Sequence, residues 1–185
     1  DIKHDILEKI RDSYDENMVD RYQRGIDDTD DKYQVWRREG ARYFINPMLE
    51  KLYDARENEP FYFDTELEQK MAFITLQSTL YYAYWTTYGN QHHHNWPHIA
   101  AFPFPDQETL EENREEVIDK ADRLWRGMSD LFSTDTIGRP NWTIRPLKPL
   151  LNEVDSLVGE IYGLDEEEIE WLQDYQTELG EKAGR

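Results

Sequence analysis

Apolar residues recur at every third or fourth position from Phe73 through Leu76, Leu80 and Tyr84 to Tyr88, and a second row of Ile74, Tyr81 and Trp85 fills the adjoining side. The first row is one face of a helix and the second widens it, so the spacing predicts a helix over 71–88 that must be covered on both sides. We read it as the central buried helix of the fold. Gly89 and Asn90, which tolerate left-handed backbone, predict its end. Histidines 92, 93, 94 and 98 follow, and Pro97, Pro103 and Pro105 predict an extended path through that region. Thr75, Gln77, Ser78, Thr79, Thr86 and Thr87 interrupt the apolar run, which favours a core helix over a membrane span.

Other stretches carry their own periods. Ile6, Leu7 and Ile10, then Tyr14, Met18 and Tyr22, predict an amphipathic helix over 1–25 with a break near Asp15. An acidic turn follows over 25–31, without the ligand order or closing Glu of a calcium loop. Residues 33–38 alternate apolar and polar, Glu39 and Gly40 turn, and 42–46 continue, which predicts a β-hairpin. Phe61, Tyr62 and Phe63 read as another extended piece, and 48–56 as a helical turn or two. Leu110, Val117, Ala121, Leu124, Met128 and Leu131 predict a long amphipathic helix from 107 to about 132. A polar connection over 133–146 leads to a stripe of Leu150, Val154, Leu157 and Ile161, stopped by Gly163. Asp165 and Glu168 have capping-box spacing before a last helix. The predicted class is mainly α with a small β-ribbon (α+β), a central buried helix packed by amphipathic helices. Residues 1–185 read as a single compact piece of a larger protein, with an N-terminal helix plus ribbon in 1–64 and the helical core and C-terminal helices in 65–185.

Charge changes the picture of partners. Forty acids against 21 bases give a net charge of −19, while 6 Trp, 12 Tyr and 7 Phe supply enough aromatic surface for a core. An acidic surface suits a protein working in concentrated salt, where at ~1 M the Debye length is only ~3 Å. The net charge therefore does not exclude a polyanionic partner. Arg37, Arg38 and Arg42 surround the predicted hairpin tip. Two readings stay open for them: a solvated turn whose arginines pair with nearby acids, or a ribbon presenting forked donors to nucleic acid.

Candidate chemistry is otherwise thin. There is no cysteine, so disulfides and thiolate metal sites are excluded. Neighbouring side chains at His92, His93 and His94 diverge, and Pro97 opposes a helical pairing of His94 with His98, so no zinc site is expected. No Gly-rich phosphate loop, G-x-S-x-G or H-E-x-x-H occurs, and no catalytic or cofactor-binding residues are assigned. The opening residues lack a secretory h-region and an initiator Met, from which a cytoplasmic location and a fragment of a longer chain are expected.

Two stretches together resemble a known family. LQSTLYYAYWTTYGNQHHHNWPHIAAFPFP carries Ser78, Tyr81, Tyr82, Trp85, Gly89, Asn90, His92, Phe102 and Pro103, and KPLLNEVDSLVGEIYGLDEEEIEWLQDY carries Asp155, Val158, Tyr162, Gly163, Leu164, Glu167, Glu168 and Ile169. The first is similar to a segment in the C-terminal target-recognition region of adenine-specific DNA methyltransferases of restriction–modification systems, including bifunctional type II restriction enzymes. The second is similar to that family's closing signature. Together they cover about a third of the chain. The family's N-P-P-Y-type catalytic motif and its glycine-containing cofactor loop are absent; Asn46-Pro47-Met48 is not that motif. The resemblance thus implies a DNA target-recognition and scaffold piece from a salt-adapted source. Its partners would be double-stranded DNA and an N-terminal methyltransferase domain that binds S-adenosylmethionine; no membrane is involved. The residues placed against DNA are Arg37, Arg38, Arg42, His92, His93, His94 and Asn95. A protein-interaction or subunit-assembly helical module without direct DNA contact is the alternative.

Overall fold

The computed structural model describes residues 1–41 and 44–182. Helix α1 (Ile2–Arg11) is capped by the Asp1 side chain and buries Ile6, Leu7 and Ile10. A 3-10 turn (Met18–Asp20) leads into a three-stranded antiparallel sheet of β1 (Tyr22–Gln23), β2 (Tyr33–Arg37) and β3 (Glu59–Phe63), in the order β1-β3-β2. Helices α2 (Glu66–Gln77), α3 (Thr79–Tyr88), α4 (Trp96–Ala101), α5 (Gln107–Glu112) and α6 (Arg114–Leu131) follow. A two-stranded ribbon, β4 (Phe132–Thr134) and β5 (Pro140–Trp142), and a second 3-10 turn (Arg145–Leu147) precede α7 (Lys148–Ile161) and α8 (Glu166–Lys182). The fold is mainly α with small antiparallel sheets, as the periodicities predict. No described helix is long and apolar enough to cross a membrane.

The central hydrophobic rod is two helices, not one. Ser78 is extended (φ −67°, ψ 154°) and both ends α2 and caps α3. Its hydroxyl donates to the Thr75 carbonyl at 2.6 Å and accepts from the Tyr81 amide at 3.2 Å. From α7, buried Asp155 accepts the Thr79 amide at 2.8 Å and the Thr79 hydroxyl at 2.6 Å. The break therefore leaves no orphan donor at Thr79. Phe73, Tyr81 and Trp85 are fully buried, as a rod covered on both sides requires. Helix α2 lies between α6 and the sheet, and α3 rests on α7 and α8.

The predicted hairpin is replaced by a longer-range pairing. β2 runs antiparallel to β3, with Val35 opposite Phe61 and Arg37 opposite Glu59. Among the described residues, the segment after Gly40 meets β2 through a Trp36–Met48 bridge and a 3.3 Å bond from Gln34 Nε2 to the Leu49 carbonyl, not through a ladder. Phe44, Ile45, Met48 and Leu49 go into the core instead, and Asn46, at φ +50°, exchanges two buried hydrogen bonds with the Gln77 amide group. A free ladder edge would expose those apolar side chains, so burial decides the pairing.

Other predicted boundaries also move. α1 ends at Arg11, and 48–56 form turns without a helix. Pro97, where an extended path was predicted, lies in the first turn of α4, because a proline there removes no helical hydrogen bond. Asn113 divides the long helix into α5 and α6. The Asp165–Glu168 capping box forms, with reciprocal amide bonds of 2.9 and 3.0 Å.

Candidate nucleic-acid interface

The loop after α3 is built by three local devices. The Gly89 amide bonds the Trp85 carbonyl at 2.7 Å, and a Cβ at Gly89 would lie 2.7 Å from that oxygen and 3.0 Å from the Trp85 ring. Only glycine fits so close an approach. The left-handed residue is Gln91 (φ 62°), rather than the predicted Gly89 and Asn90. The Asn90 side chain then accepts the amides of His92 and His93 at 3.0 and 2.8 Å, an Asx turn that points the loop back toward β2.

His94 fastens the returning chain. Its ring is fully buried, with Nε2 2.6 Å from the Tyr81 hydroxyl. Its amide donates to the Glu39 carbonyl at 2.7 Å, and its own carbonyl accepts Arg37 Nη1 at 2.6 Å. Gly40 bridges His93, and the Ala41 amide reaches the His92 carbonyl at 3.4 Å. The two segments that the sequence placed against DNA are thus joined by backbone hydrogen bonds. Burial, helped by the Arg37 charge, lowers the His94 pKa to about 3, so the ring is neutral at physiological pH. Among the described residues Nδ1 has no hydrogen-bond partner of good geometry, although the Arg38 backbone slightly opposes the drop.

Two of the seven predicted contact residues are corrected by this geometry. Arg37 is 4% exposed, bonds Glu59 Oε1 at 3.4 Å and lies 4.7 Å from the Trp96 ring centre. Arg24 covers the same ring at 3.7 Å and shares Glu59. Burial lowers the Arg37 pKa, opposed by Glu59 and Glu39. Arg37 and His94 face inward and hold the loops; neither offers a donor to a partner. Arg42 lies outside the described residues. His92 and His93 are exposed, His93 standing 3.7 Å from Glu39, and Asn95 is half-buried at the start of α4.

Arg38 is different. It is partly exposed, donates Nε to the Tyr53 hydroxyl at 2.8 Å and lies 4.6 Å from the Trp142 ring centre. It lines an open cleft of about 190 Å³, with Gly40 and Tyr53 on one wall and Ile137 and Arg139 on the other. The second wall is the tip of the β4–β5 ribbon, which replaces the polar connection predicted over 133–146. Asp135 organises that tip by accepting the amides of Ile137 and Arg139 at 3.0 and 2.8 Å and Arg139 Nε at 2.6 Å. Gly138 sits at φ 81°, and Ile137 is 72% exposed. Tyr53, Phe132 and Trp142 pack ring on ring beneath, with centroids 4.9 to 5.8 Å apart. Aromatic residues flanking an Asp/Gly turn were the available signal for this ribbon.

No group of His, Cys, Asp or Glu among the described residues could hold a metal ion. Comparison of the chain with family models, curated proteins and solved structures gives no match.

Proposed function

We propose that the chain is the DNA target-recognition and scaffold region of an adenine-specific DNA methyltransferase. The observation that carries the reading is the union of the Glu39–Gly40 turn with the His92–His93 loop beside Arg38. Residues that resemble the family's recognition segment then share one surface with an arginine that, among the described residues, has no carboxylate partner. His92, His93 and Asn95 would offer ring and amide groups to base edges, and Arg38 a planar guanidinium to a guanine or a phosphate. Arg37 and His94 support these groups from behind. Adenine methylation requires the base to leave the stack; the pocket for it, with S-adenosylmethionine, belongs to the separate N-terminal domain. The alternative assembly module draws less support, because α6 turns its apolar face to α2 and α7 within the chain.

The test is duplex DNA binding by wild type and by Arg38→Ala combined with His93→Ala. Loss of a specific contact costs about 1–3 kcal/mol. Equal affinities for a panel of duplexes would remove this surface from recognition.

A further inference from the structure

We infer that Arg56, Arg126 and Arg145 extend the candidate face into a strip that binds the phosphate backbone of a nucleic acid. The inference rests on the DNA-recognition reading and adds residues and a ligand chemistry to it. With 40 acids in the chain, an arginine finds a carboxylate easily. Arg11, Arg21, Arg24, Arg37, Arg114, Arg123 and Arg139 all have one within ion-pair distance. Among the described residues Arg38, Arg56, Arg126 and Arg145 do not, and the last three are exposed.

These four arginines are far apart in sequence, yet their segments adjoin one another in a chain of contacts. Arg38 lies on Trp142, and Arg56 is flanked by Ala55 and Glu57, which line the Arg38 cleft. Arg145 comes three residues after Trp142 and opens the 3-10 turn that ends at Leu147. Leu147 packs onto Gly127 so closely that a Cβ there would sit 2.6 Å from it, and Arg126 is the preceding residue of α6. The carboxylates Asp54 and Asp135 on the same walls are engaged, by Lys51 at 2.7 Å and Arg139 at 2.6 Å. Exposed guanidinium groups without internal partners, beside an aromatic cleft, match a polyphosphate that supplies the missing negative charge. Glu57 at the cleft and Asp130, four residues after Arg126 in α6, are exposed carboxylates that oppose it.

The experiment measures duplex DNA affinity of the whole chain against salt concentration, by fluorescence anisotropy. Arg56→Ala, Arg126→Ala and Arg145→Ala should each weaken binding to all duplexes alike and reduce the log–log salt slope by about 0.9. Glu57→Gln should tighten binding, and acid-paired Arg123→Ala should leave the slope unchanged. Thermal melting checks that each variant keeps its fold. If Arg38→Ala weakens binding while the three strip variants keep the wild-type slope, the strip is wrong and the recognition face stands. If wild type binds no duplex, the recognition reading fails. Heparin then decides the strip: binding lost in the three variants keeps it as a polyanion site, and binding absent or unchanged by them overturns it.

Discussion

Asp155 and His94 do the same mechanical work in two regions, and burial moves them in opposite directions. Each is a fully buried titratable group that ties a chain break to a distant element. Asp155 ties the α2–α3 break to α7, and its pKa rises to about 6 because burial penalises the carboxylate more than the two Thr79 hydrogen bonds favour it. His94 ties the post-α3 loop to β2, and its pKa falls to about 3 because burial penalises imidazolium. A core pin can be ionic when its partners are donors on a helix end. A pin beneath a surface loop, next to the Arg37 cation, has to be neutral.

Truncation separates the two pins most widely. His94→Ala empties a ring-sized site and strands the Tyr81 hydroxyl, so it should cost about 3–4 kcal/mol in urea unfolding. It should also release the candidate DNA-binding loop. Asp155→Ala should cost about 2–3 kcal/mol by leaving buried Thr79 groups unpaired, with no further loss of DNA affinity once the protein is folded. A smaller penalty for His94→Ala than for Asp155→Ala would show that the loop is held elsewhere.

Titration sharpens the contrast. The unfolded His94 ionises near its ordinary value of 6.5, so its contribution is complete above that pH and is lost as pH falls toward 3. For Asp155, the folded pKa lies above the ordinary 3.8, so its contribution is complete below that value and is lost as pH rises through about 6. Between about pH 4 and 6 the two slopes, each up to about 1.4 kcal/mol per pH unit, oppose one another. Asp155→Asn should expose the His94 slope, with stability falling on acidification below pH 6.5. His94→Gln should expose the Asp155 slope, with stability rising from pH 6 to 4 relative to wild type. Parallel pH profiles for the two variants would refute the assignment. Least in size, Ser78→Ala should cost about 1 kcal/mol through the lost cap of α3, read as a shift in Tm.

Local signals were readable from the chain, and distant ones were not. The stripes of α1 and α7 and the Asp165–Glu168 box depend on neighbours within a turn or two. The Ser78 break was hidden because apolar residues keep their helical phase on both sides of it, and what permits the break is Asp155, 76 residues away along the chain from Thr79. Residues 42–46 looked like the partner of β2 and 61–63 like a separate extended piece; β3 takes the pairing and buries Phe61 and Phe63. In the candidate site, the cation at 37 and the imidazole at 94 looked like their neighbours at 38 and 93. Inside or outside was decided by Glu59, Trp96 and Tyr81, which no local pattern connects to them. The β4–β5 ribbon escaped notice because its strands are three residues long.

Gly40 and His93 share a bridge, and the Glu39 and His92 carbonyls take amides from the opposite segment. The two loops are therefore fastened to one another. A molecule arriving at either one meets a tip already set in shape, so less freedom is lost when it is captured. On the proposed DNA-recognition reading, cutting that bridge would weaken binding even with every side chain in place.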